Sequence, residues 1–269
     1  MIPNVLTLAG VDPSGGAGTV ADVKAMSANG AYACAIVAAL TAQNTNGVTG
    51  IHAVPPEFIR LQIDTLFTDV RIDAVKIGML GGDRAIAAVA DRLTHWKAER
   101  IVVDPVMIAK SGDALLERAA IGALREALLP LATVLTPNLP EAGVLLELRP
   151  PEDLKEMRRY AERLRNTMAH DGQRWVLLKG GHMTSGDAID LLHDGDRMIE
   201  LPGHRIETAN THGTGCTLSA ALAALLPQIG DVPESAKRAK AYLTEAIRHA
   251  ERLSVGSGHG PVHHFHGWW

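Results

Sequence analysis

Cys216 closes the polar, glycine-broken stretch Asn210-Thr211-His212-Gly213-Thr214-Gly215, and beyond it Leu218–Leu226 contains only Ser, Ala and Leu. Such a run predicts a buried helix. A helix whose first turn follows Gly213-Thr214-Gly215 presents unpaired N–H groups and the positive end of its dipole. That end is a ready site for phosphate, and a thiol placed there is expected to have a depressed pKa. An anion site and an ionisable thiol on one turn point to phosphoryl transfer.

Other chemistry-bearing residues follow short apolar runs. Gly10-Val11-Asp12-Pro13-Ser14-Gly15-Gly16-Ala17-Gly18 opens a helix, and Gly16-Ala17-Gly18-Thr19-Val20-Ala21 fits the loose dinucleotide fingerprint. The acidic residue that fingerprint needs is missing, since Ala38-Ala39-Leu40-Thr41-Ala42-Gln43 holds no carboxylate. The loop is either a tight turn or a wall against a small substrate, with Asp22 a candidate contact and Lys24 a surface charge. Thr41–Gly47 reads as a second polar loop. Gln43 in it can donate and accept at once, which suits a heterocycle edge, or it can satisfy loop backbone. Met79 is either a stacking partner for an aromatic substrate or core filler. Asp104 is a magnesium or water ligand, or a turn cap, and Lys110-Ser111-Gly112-Asp113 could cover the site. Asn138 and Glu141 suit magnesium held through water and phosphate, or a helix cap with a first-turn Glu. Lys179 can meet phosphate as a point charge, while His182 reads as a loop residue. No P-loop occurs and the protein-kinase constellation is missing, so a bound nucleotide depends on the turn at Gly213–Cys216.

The elements that must position these residues alternate. Strands are expected at Val5–Ala9, Cys34–Leu40, Ala74–Ile77, Ile101–Val103, Thr133–Leu135, Trp175–Leu178, Ala188–His193 and Met198–Leu201. Helices are expected at Thr19–Asn29, Pro56–Phe67, Asp83–Trp96, Ala114–Leu129, Pro140–Leu146, Pro151–Ala169, Thr214–Leu226 and Pro233–Leu253. This is an α/β pattern with a mostly parallel sheet and helices on both faces. Asp194-Gly195-Asp196 predicts a hairpin and hence an antiparallel edge. Ligands of such sheets bind beyond the carboxyl ends of the strands. With no linker or repeat, residues 1–269 read as one domain.

Composition narrows the function classes. The chain has 269 residues, 46% hydrophobic and 21% charged, with a net charge of −4 and no basic stripe, which argues against nucleic acid. The charges of Lys155–Arg165 alternate in sign and read as a solvated helix face. Met1 leads directly into a strand, and no apolar run is long enough to span a membrane. Cys34 and Cys216 are the only cysteines, as expected for a reducing cytoplasm. Cys34 reads as core.

Taken together, Ala9–Gly18, Ala39–Thr45, Val103–Met107, Leu135–Glu141, His212–Cys216 and Gly258–Phe265 resemble, in order, the vitamin-kinase branch of the ribokinase-like superfamily. Within it they resemble the bacterial hydroxymethylpyrimidine/phosphomethylpyrimidine kinases of thiamine biosynthesis. The resemblance implies a three-layer ribokinase-like sandwich. It implies two MgATP-dependent phosphorylations of 4-amino-5-hydroxymethyl-2-methylpyrimidine, first at the hydroxyl and then at the monophosphate. It places Gln43, Gly10, Asp22, Met79 and Val106 around the pyrimidine. Lys179, Asn138, Thr211 and Thr214 serve ATP, and Asp104 and Glu141 serve Mg²⁺. Gly213, Gly215 and Lys240 serve the phosphates, and Cys216 is the base for the accepting hydroxyl. It also implies a homodimer. Val11 departs from the family pattern, where Ser follows the glycine. The closing histidines belong to a family-like tail and are expected to pack or to meet a second subunit. The alternative reading is a pyridoxal/pyridoxine kinase or an enzyme with both activities.

Overall fold

A computed structural model describes residues 1–107, 118–183 and 187–269. Its centre is a nine-stranded sheet in the order β3-β2-β1-β4-β5-β6-β7-β8-β9. These strands are β1 (Asn4–Val11), β2 (Tyr32–Asn44), β3 (Gly47–Ala53), β4 (Ala74–Ile77), β5 (Ile101–Val103), β6 (Val134–Leu135), β7 (Trp175–Leu178), β8 (Asp190–His193) and β9 (Met198–Leu201). From β2 across to β7 the neighbours run parallel. β3, β8 and β9 pair antiparallel.

Successive residues of a strand face opposite sides. In β1, Val5 enters one core and Leu6 and Leu8 the other. The Leu6 side carries Ile77 and Val103 of the sheet and is covered by α2 (Pro56–Phe67), α3 (Asp83–His95), α4 (Arg118–Ala123), α5 (Leu139–Leu146) and α6 (Leu154–Arg165). The Val5 side is covered by α1 (Gly18–Ala28), α7 (Thr214–Ile229) and α8 (Val232–Arg248). α7 is buried from Thr217 to Ala224, and its alanines let α1 and α8 approach closely.

Five expectations are corrected. Thr41–Gly47 is no free loop: β2 runs on to Asn44 and returns as β3, making an antiparallel ribbon at one sheet edge. α6 begins at Leu154 rather than Pro151, because the Asp153 side chain accepts from the Glu156 N–H at 2.7 Å and sets the cap. α6 also ends at Arg165, α7 runs past Pro227 to Ile229, and α8 stops at Arg248. Residues 108–117, which include Lys110–Asp113 and the start of the expected helix at Ala114, lie outside the described residues. The hairpin of β8 and β9 forms as expected. Among the described residues no helix is long and apolar enough to cross a membrane.

Candidate active site

Beyond the carboxyl ends of β1, β4, β5 and β7 lies a cavity of about 420 Å³, and the first turn of α7 forms one wall. Gly213 precedes α7 with φ 74°, a left-handed conformation that suits glycine. A Cβ there would stand 1.8 Å from the Gly16 carbonyl oxygen, so the two glycine loops touch backbone to backbone. The first bond running back along α7 is Thr217 N–H to Gly213 O at 2.8 Å. The Gly215 and Cys216 amides precede it at the cavity wall.

Asp12 ties the loops together. Its carboxylate accepts from Ser14 N–H, Ser14 Oγ and Ala17 N–H at 2.8–2.9 Å, and from His212 Nε2 at 2.7 Å. Burial raises its pKa, but the bonds from His212 and Ser14 outweigh burial and leave it below the ordinary value.

Lys179 reaches Asp104 Oδ1 at 2.9 Å, and a Cβ on Gly215 would lie 3.3 Å from the same Nζ. A cation thus stands at the N-terminus of α7. Asp104 also accepts from Thr136 at 3.2 Å and Ser219 at 3.1 Å. Burial pushes Asp104 up, and Lys179 and Lys76 bring it down to a net lowered pKa. Asn138 and Glu141 form a reciprocal cap of α5, at 2.9 and 2.8 Å, while both still line the cavity. Burial pushes the Glu141 carboxyl up to about 7 although Lys179 opposes it.

The thiol behaves otherwise than expected. Burial raises Cys216 to about 11, against the pull of Lys76 and of a hydrogen bond from the Gly18 N–H. A helix terminus worth a fraction of a charge does not outweigh removal from water with Asp22 and Asp104 nearby.

The structure brings Gly10, Gln43, Met79, Asp104, Val106, Asn138, Glu141, Lys179, Thr211, Gly213, Thr214, Gly215 and Cys216 to one cavity. A Cβ on Gly10 would meet the Met79 methyl at 2.7 Å, so the two residues shape the same part of the wall. His182 also lines the wall. Two residues sit elsewhere. Asp22 is fully buried behind the wall, accepting from Lys76 on both oxygens at 2.8 and 2.9 Å and from Thr7 at 2.6 Å. Lys240 donates to Ala188 O, Asp190 Oδ2 and Leu201 O at 2.7–2.8 Å, so it fastens α8 to the β8–β9 edge, off the cavity wall. Lys24 is no free surface charge, since its ammonium bonds Gly15 O at 2.9 Å.

Sequence reasoning missed Asp12, His212 and Lys76. The available signal for Lys76 was a lone charge inside the apolar strand Ala74-Val75-Lys76-Ile77. The tail packs, with His264 Nε2 3.1 Å from Thr217 Oγ1 and Tyr242 donating to His264 O. Burial, with Lys24 and His263 adding to it, pushes His264 down to about 3.

Among the described residues no three His, Cys, Asp or Glu side chains converge as a metal cage. Asp104 is committed on both oxygens, and Glu141 spends Oε2 on the Asn138 amide. The set fits magnesium carried mainly by phosphate oxygens and water, with Glu141 Oε1 beside it. It does not fit an ion held jointly by Asp104 and Glu141 while Lys179 occupies Asp104.

Residues 12–263 match the family model described as phosphomethylpyrimidine kinase. The chain is 51% identical over 264 residues to a hydroxymethylpyrimidine/phosphomethylpyrimidine kinase of Rhizobium meliloti, covering 98% of this chain and 97% of that one. Among solved structures it resembles a Clostridium difficile phosphomethylpyrimidine kinase, with TM-score 0.79, 36% identity, and coverage of 92% of this chain and 100% of that one. It also resembles an ADP complex of Bacillus subtilis pyridoxal kinase, with TM-score 0.88, 31% identity, and 98% of each chain covered.

Proposed function

The chain belongs to the phosphomethylpyrimidine kinase family, and from that premise we propose how its cavity phosphorylates 4-amino-5-hydroxymethyl-2-methylpyrimidine with ATP, first to the monophosphate and then to the diphosphate, in thiamine biosynthesis. The observation that carries the proposal is the sharing of one cavity by the α7 amides, Cys216, Gln43 and Met79. The amides supply fixed donors where phosphate charge accumulates. Gln43 offers a donor and an acceptor to the heterocycle edge, and Met79 lies against the ring.

In the first step the hydroxyl gives its proton to the Cys216 thiolate. The freed oxygen bonds to the γ-phosphorus, and the bond from that phosphorus to the β,γ-bridging oxygen breaks, releasing ADP. The thiol starts protonated, so the reacting form is the minor thiolate, which has lost its proton to solvent. In the second step the acceptor is already an ionised phosphate oxygen and needs no base. Lys179, Asn138, Thr211 and Thr214 hold the nucleotide side. Glu141 would help to hold Mg²⁺, which would supply positive charge against the phosphates of ATP.

A homodimer and a cytoplasmic setting belong to the same proposal. Tyr32, Leu40 and Ile51 expose apolar surface on the β2–β3 ribbon, and both cysteines are free. Light scattering on the purified chain checks the dimer. The functional test is a substrate panel with MgATP. The pyrimidine and its monophosphate are expected to turn over, the first giving both products in succession. Turnover of pyridoxal with none of the pyrimidine would overturn the reading.

A further inference from the structure

A lysine inside a four-residue buried strand needs a reason. Lys76 is 0% exposed, as is its partner Asp22. A buried ion pair is weak as a source of stability, because desolvating two charges offsets their attraction. The pair also lies at a particular place. β4 is a central strand, α7 packs across it, and Lys76 forms part of the same cavity wall as Cys216. Gly78, two residues on, leaves the ammonium its space: a Cβ there would be 2.8 Å from Lys76 Nζ. Asp22 takes that ammonium with both oxygens, and Thr7 fixes Asp22 in turn. The result is an oriented cation in the cavity wall that also carries Cys216.

We propose that Lys76 is a positioning residue for Cys216, its ammonium held by Asp22 and Thr7 where it steadies the charge left on sulfur when the thiol proton departs. The proposal deepens the kinase reading and rests on it. Among the described residues, the charged groups that act on the thiol are Lys76 from β4, Asp22 from α1, Asp104 beyond β5 and Lys179 beyond β7, with the Gly18 N–H as the neutral donor. The two carboxylates and burial oppose the thiolate, and Lys76 is the largest opposing influence in its favour. Without Lys76 the sulfur keeps both carboxylates and burial against it. The hydroxyl-phosphorylating step then suffers, while the phosphate-accepting step does not.

The test uses full-length protein carrying Cys34→Ser, so that Cys216 is the only thiol. Iodoacetamide alkylation is followed at pH 8.5, beside single-turnover phosphorylation of the pyrimidine and of its monophosphate. Lys76→Met is expected to slow alkylation at least about tenfold, equivalent to about one pH unit, and to slow the first phosphorylation about tenfold relative to the second. Asp22→Asn/Lys76→Met leaves no lone buried carboxylate and guards against misfolding of the single variant; its alkylation is expected to fall by at least about threefold. Lys76→Arg is expected to recover part of the loss. Unchanged alkylation in the double variant, or equal losses in both steps, would overturn the proposal and leave Lys76 a structural residue. Absence of pyrimidine turnover in the Cys34→Ser parent would instead count against the kinase reading, and the alkylation result would still decide the role of Lys76.

Discussion

Burial and Lys76 pull the Cys216 thiol in opposite directions, and burial wins, leaving it at about 11. A base that is mostly protonated at neutral pH gives a rate that follows its thiolate fraction. The first phosphorylation is therefore expected to climb with pH between 7 and 9, and the second to lack that climb; parallel profiles from a stopped assay would contradict it. Glu141 makes a separate prediction about stability. Its folded-state pKa is raised to about 7 by burial, above its ordinary value of 4.5. Between those two pH values the unfolded chain loses the proton and the folded chain keeps it, so the group's contribution to stability declines as pH rises through that window. Glu141→Gln keeps an acceptor for the Asn138 amide and removes the titration. Nucleotide-free Glu141→Gln protein is expected to melt higher than the parent at pH 8 and near it at pH 4. Equal melting differences at both pH values would show that Glu141 does not hold its proton in the fold.

At the scale of the element, the decisive feature is the start of α7. Gly213→Ala places a side chain at φ 74° and 1.8 Å from a backbone oxygen that has little freedom to move. The left-handed conformation alone costs about 1–2 kcal/mol. The variant is expected to melt at least about 3 °C lower and to lose nucleotide affinity; unchanged values of both in calorimetry would show that the two loops are not locked. The start of α7 was legible because glycines and a long Ala-Leu run have unambiguous backbone meaning. Ala74–Ile77 and Met198–Leu201 were legible for a similar reason, as short runs, mainly apolar, bounded by turns. β3 was not legible. Gly47–Ala53 is largely exposed and has no apolar face to mark a period. Its existence follows from pairing with β2, a long-range contact that local pattern does not carry. Asp153 decided the start of α6 against two prolines for a comparable reason, since the capping hydrogen bond fixes the turn.

At the scale of the molecule, the sheet gathers residues from Gly10 to Cys216 at one rim. The convergence of most candidate residues on one cavity was legible because each follows an apolar run, and α/β sheets place such positions together. The candidates that do not reach the rim lie behind it or away from it. Asp22 and Lys240 are charged residues at plausible spacings, yet both are consumed by partners that sequence spacing does not reveal, Lys76 and Asp190. Because one cavity handles both acceptors, the whole account turns on the separation of the two steps. The most direct measurement is rapid-quench single turnover of Cys216→Ala with MgATP, started in parallel from the pyrimidine and from its monophosphate. The first phosphorylation is expected to fall about 10²–10⁴-fold, with nucleotide binding and the second phosphorylation largely kept. Equal loss in both steps, or an unimpaired first step, would contradict the account.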